Sequence, residues 1–134
     1  MNPAAETVRG TPRVSVQFDR PDRRYRPHDT VAVRYAIDGV ATDRLRAVEC
    51  SMLWYTEGKG EEDMRVHFFA PAAPTTTGGF SAELPASPLS YEGIIVKLRW
   101  CVRVRLFFPD ARDFVSEHVF DVGEIPPARM PRPA

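Results

Sequence analysis

From Gly93 to Phe108 the chain alternates so regularly that a pleated strand is the conformation able to accommodate it. Ile94, Val96, Leu98, Trp100, Val102, Val104, Leu106 and Phe108 share one face, while Lys97, Arg99, Arg103 and Arg105 share the other. A helix would scatter both sets around its circumference, whereas a strand separates them. One face is therefore expected to pack against a second layer and the other to meet water, with Ile95 and Phe107 as apolar interruptions of the basic row.

Further strands follow the same period of two. Val14, Val16 and Phe18 predict a first strand over 13–18, and Val31, Val33, Tyr35 and Ile37 a second over 30–38 that Asp38-Gly39 closes. Val48, Cys50, Met52 and Trp54 predict an inward face opposite Glu49, Ser51, Leu53 and Tyr55. Met64, Val66 and Phe68 are expected inward, with Arg65 and His67 outside. The Pro-, Thr- and Gly-rich stretch over 70–79 reads as a loop, Phe80 to Leu84 as a short edge-like strand, and Phe114 to Phe120 as part of a final strand. About seven strands without a convincing helix need a second sheet to cover their apolar face, which predicts an all-β, immunoglobulin-like antiparallel β-sandwich over 13–122. A closed barrel is the alternative, because periodicity does not fix pairing order. Residues 1–12 read as a flexible leader, and 123–134, with Pro126, Pro127, Pro131 and Pro133, as an extended or mobile tail.

Eighteen basic and eighteen acidic side chains cancel to a formal charge of +0, so no long-range field draws the whole molecule to nucleic acid or an anionic membrane. No run of apolar residues is long enough to span a bilayer as a helix, and Met1 to Gly10 lacks the core of an export signal; both point to a cytoplasmic protein. Alternation puts Cys50 on an inward face and Cys101 on an outward one, which predicts separate thiols.

Catalytic chemistry has no evident constellation here. His28, His67 and His118 show no zinc-ligand spacing and neither cysteine has a paired base in sequence, so His28 is expected to be structural and the other histidines exposed. Ser81, Ser87 and Ser90 surround a proline-rich turn rather than a nucleophile elbow, Gly58-Lys59-Gly60 is too short for a phosphate loop, and the acids Glu61, Glu62 and Asp63 lack calcium-hand spacing. No cofactor or metal is expected. The candidate binding residues are Lys97, Arg99, Arg103 and Arg105, whose alternate side chains stand about 6.6 Å apart along a strand and suit a carboxylate or phosphate array. A wet sheet face neutralised by neighbouring acids is the competing reading.

Several phrases resemble arrestin-type domains. Tyr25, Pro27, Asp29 and Val31 are similar to the family's Tyr-x-Pro-Gly-Asp-x-Val entry into a strand. Phe80, Leu84, Pro85, Pro88, Ser90, Tyr91 and Gly93 resemble its later phrase before a long strand, into which Trp100, Val102 and Val104 fit. Residues 54–60 look like a Trp-x-x-Glu-Gly-Lys-Gly element of some microbial relatives. His28 and Val33 stand where many relatives have glycine, so the turn at His28 is expected to differ in shape. The likeness covers one sandwich, whereas arrestins pair two. It implies a noncatalytic protein-binding or adaptor module whose partner is a protein or peptide, with an acidic segment suited to the basic row; a self-associating structural domain is the alternative.

Overall fold

In the computed structural model, which describes residues 11–59 and 62–123, the alternating segments become strands β1 (Arg13–Phe18), β2 (Arg24–Tyr25), β3 (Thr30–Asp38), β4 (Ala47–Gly58), β5 (Met64–Ala72), β6 (Thr77–Glu83), β7 (Tyr91–Glu92), β8 (Val96–Phe108) and β9 (Ala111–Val122). Seven of the nine have six residues or more, and the other two have two each. One sheet runs β1-β3-β6; the larger runs β2-β9-β8-β4-β5, with β7 also on β8. All pairings are antiparallel except the short parallel join of β2 to β9. The two faces meet as a sandwich, not a closed barrel.

The inward residues of β3 and β8 seal the interior. Val31, Val33, Tyr35 and Ile37 are buried from one sheet, and Trp100, Val102, Val104 and Leu106 from the other. Phe18, Tyr25, Trp100 and Phe120 form a ring cluster, with Tyr25 edge-on to Phe120 at 5.7 Å between centroids. Each polar tip in that cluster is satisfied: Trp100 Nε1 donates to the Pro88 carbonyl at 2.9 Å, and the Tyr25 hydroxyl donates to Asp19 Oδ1 at 2.5 Å.

The phrases that carry the arrestin-type resemblance converge at one end of the sandwich, although they are distant in sequence. The Leu84 amide donates to the Asp29 carbonyl, the Gly123 amide to that of Tyr25, and Ser90 exchanges bonds with Val122 through its amide and its Oγ. Tyr25 and Val31 are buried, so these residues build the fold rather than a ligand site. His28 adopts φ 72°, the left-handed conformation glycine would take, between Pro27 and an Asp29 amide that donates to the Arg26 carbonyl. The glycine-like turn is therefore kept by histidine, contrary to the altered shape expected from sequence.

Three local expectations are corrected. Strand β8 begins at Val96, and Ile94, expected in the core, is fully exposed in the turn between β7 and β8. In β5 the pairing jumps from Met52 with Phe68 to Leu53 with Val66, so His67 is an extra residue in a bulge. That insertion reverses the parity: Phe68 faces inward and stacks on Phe80 at 5.1 Å, Met64 and Val66 are exposed, and His67 turns toward the opposite sheet, edge-on to Trp100 and 2.7 Å from the Glu83 carbonyl. Strands β5 and β6 also extend to Ala72 and from Thr77, so the loop is shorter than expected, with Pro71 tolerated on an edge strand. The leader over 1–10 and the tail over 124–134 lie outside the described residues, as do Gly60 and Glu61 of the polar loop.

Cys50 and Cys101 are free and buried, Cys50 on the inner face and Cys101 on the outer. Burial pushes the Cys50 thiol up to about 11 and that of Cys101 up to about 12. The folded state thus holds protons that unfolded thiols release above about pH 8.5, so this contribution to stability is complete below that pH and is lost as pH rises through the folded values. Two outcomes are expected. Native protein shows no reaction with a thiol reagent until denatured, and its urea midpoint falls as pH is raised from 8 to 11, whereas rapid native labelling of both thiols would contradict the burial. His28→Gly relieves the left-handed strain and raises unfolding free energy by about 1 kcal/mol in urea titration; a lowered midpoint would show that the imidazole contributes more than its backbone costs.

Candidate functional site

The outer face of the larger sheet carries all four basic candidates. Their parity on β8 places them opposite the buried indole of Trp100, and the flanking strands supply an acid to each. Lys97 Nζ lies 3.2 Å from Glu92, and Arg99 Nε 2.9 Å from Glu57, with a second approach of 3.8 Å to Glu92. Arg103 grips one oxygen of Glu117 through Nε at 3.0 Å and a terminal nitrogen at 2.6 Å. Arg105 Nε stands 3.3 Å from Asp113, a charge contact whose N–H is not aligned for a hydrogen bond. Four cations thus face four carboxylates, and an incoming anion meets an acid already beside each of them.

Between these charged ranks runs an apolar one. Val66, Leu53, Cys101 and Val119 are in register across β5, β4, β8 and β9, and the middle two are fully buried although they face outward. The long side chains around them account for this, since an arginine stem covers apolar surface while its head stays wet. Burial raises the Tyr55 hydroxyl, with the nearby Cys101, Glu57 and Glu117 adding to the effect. A shallow hollow of about 340 Å³ beside Arg103 is lined by Tyr55, Met64, Glu62, Asp63 and Glu117. Acids outnumber the single arginine there, which works against capture of a dianion.

At the outer margin of this face β5 is unpaired on one side, and no strand adds to it among the described residues. Met64, Val66 and Phe69 are exposed along it, Phe69 at 55%. The basic row is visible in the sequence through its charge, whereas the apolar edge is not, because the bulge at His67 turns Met64 and Val66 outward.

The histidines divide differently from expectation. His118 is half-buried rather than exposed: it faces the opposite sheet, and its Nε2 lies 2.6 Å from Ser116 Oγ. Burial and the Arg23 charge lower its pKa, with Glu117 opposing them, so the imidazole is held neutral. No carboxylate hydrogen-bonds the ring among the described residues. The pair reads as satisfied inner-face polarity. No group of three potential metal ligands occurs among the described residues.

The ion pairs are exposed enough for solvent to screen them, which predicts a small energy for each. A double-mutant cycle with Arg103→Ala and Glu117→Ala, read by urea denaturation, is expected to give a coupling of about 0.5–1 kcal/mol. A coupling above about 3 kcal/mol would mean that this pair is a structural keystone.

No family model matches the chain, and no curated protein matches it. Among solved structures it is similar to Spo0M, the sporulation control protein of Bacillus subtilis, with a TM-score of 0.56 and 15% identity over 87% of this chain. The match takes in 51% of Spo0M, so the chain spans about half that protein's length. Spo0M has an arrestin-like fold, and the resemblance read from Tyr25 to Val31 and Phe80 to Val104 therefore agrees with the architecture: this sandwich is arrestin-like in fold.

Proposed function

We propose that this chain is a noncatalytic protein-binding or adaptor module of the arrestin-like family, single-domain microbial type, working in the cytoplasm. The observation that carries the reading is the open edge of β5 beside exposed Met64, Val66 and Phe69. An extended peptide adds to such an edge through main-chain hydrogen bonds, and its alternate side chains lie on the apolar strip. The bulge at His67 and the proline at Pro71 leave only a short regular run, which suits a short peptide better than indefinite edge-to-edge stacking. The basic row lies two strands in from that edge, so an acidic residue of the peptide gains from Arg103 or Arg99 only where the peptide folds back over the outer face and takes the place of Glu117 or Glu57.

A pull-down from native lysate followed by equilibrium binding with the purified partner tests this. Phe69→Lys is expected to weaken binding roughly tenfold by removing apolar contact at the edge. Glu117→Gln, which frees Arg103, is expected to tighten binding of an acidic peptide. Failure to enrich a reproducible partner, or affinity indifferent to Phe69, would contradict the reading.

Structural self-association is a second reading, favoured by one observation. Apolar side chains stand in solvent at the turn joining β7 to β8, which is no part of the β5 edge.

A further inference from the structure

The turn between β7 and β8 places two isoleucines where chains ordinarily place glycine, asparagine or aspartate. Ile94 is 102% exposed, Ile95 65% and the neighbouring Tyr91 59%. Nothing in the turn's own geometry calls for branched apolar side chains, yet the backbone presenting them is firmly held. The Gly93 amide donates to the Val96 carbonyl at 3.0 Å, and the Lys59 amide to the Ile95 carbonyl at 3.2 Å. Gly58, at φ 133°, permits that approach, because a Cβ there would sit 2.1 Å from the Ile95 oxygen. The tip is thus a preorganised apolar knob.

At the far end of the same molecule lies a hollow of about 480 Å³ lined mainly by Pro12, Val40, Ala41, Phe108 and Ala111, with Arg44 also in its wall. Knob and hollow flank opposite ends of the 13-residue β8, about 40 Å apart along an extended strand, so one molecule cannot satisfy both. Charge gives a further match. Glu92 beside the knob, paired with Lys97, is 69% exposed, and Arg44, half-exposed, is held among the described residues by Asp110, itself 70% exposed. Both pairs are open to solvent and weak, so Glu92 can exchange Lys97 for Arg44 as the knob enters.

We infer that the Ile94-Ile95 tip of one copy seats in the end hollow of a second copy. This deepens the self-association reading and rests on it. The contact is head-to-tail: each copy offers a different surface at each end, so association continues into chains unless the rotation closes a ring. The contact area is small, so assembly is weak and depends on concentration.

Light scattering on the purified full chain tests it. Wild type is expected to gain mass with concentration, and an Ile94→Asp, Ile95→Asp variant to weaken the contact roughly tenfold for each isoleucine removed. An Ala41→Arg, Ala111→Arg variant blocks the hollow and should be equally monomeric; all four positions are exposed, and circular dichroism verifies that both variants fold. Mixing the two variants is diagnostic, because one intact hollow meets one intact tip and a dimer forms that cannot grow. Wild type that stays monomeric at every concentration overturns the inference while leaving β5 peptide binding untouched. Association that survives both variants, as edge pairing through β5 would, also overturns it, as does a mixture that stays monomeric.

Discussion

Strand β8 is sealed along its middle by both neighbours and by the opposite sheet, and the rest of the molecule is arranged around that burial. Its inner residues Trp100, Val102, Val104 and Leu106 are all at 0% exposure, and β4 and β9 pair with it on either side. The indole is anchored at its polar tip by the Pro88 carbonyl, which ties the proline-rich connection to the core. Because Tyr25 and Phe120 pack against the same aromatic cluster, the short β2 strand and the end of β9 are drawn to this point too. A row of inward side chains thereby decides which surfaces are left for other molecules.

Those surfaces are of two kinds. The outer face of β8 is rich in cations, but each has a carboxylate neighbour, so the molecule's overall neutrality is reproduced at the scale of single pairs. Pairs of this exposure stabilise little and are screened by salt, yet they raise the threshold for any foreign anion. Backbone groups on the open side of β5 and the isoleucines at the β7 to β8 tip have no comparable compensation among the described residues. Edges and ends are therefore less compensated than the arginine face.

Where alternation runs unbroken, as in β1 and β3, the fold is legible residue by residue from the sequence, and both strands have the bounds that their apolar residues predict. Where a residue is inserted, it is not. His67 occupies no ladder position, and every β5 side chain before it points opposite to a uniform reading of the sequence. Ile94 misleads for a related reason, since it continues the apolar parity of β8 while belonging to a turn. Cys101 shows a third limit: its outward face is read correctly, but its complete burial comes from long side chains on neighbouring strands, which no local pattern reveals. For the candidate site, the positions of Lys97, Arg99, Arg103 and Arg105 were legible, whereas their neutralisation depends on cross-strand register with Glu57, Glu92, Asp113 and Glu117.

Native-state hydrogen exchange tests the central role of β8 most directly, because it reports opening strand by strand. If the burial of β8 holds both sheets in place, the amides from Trp100 to Leu106 exchange only through global unfolding, with an opening free energy equal to that from denaturant titration. Those of β5 then exchange faster, through local fraying of its open edge. Amides of β8 that exchange as readily as those of β5 would contradict this arrangement.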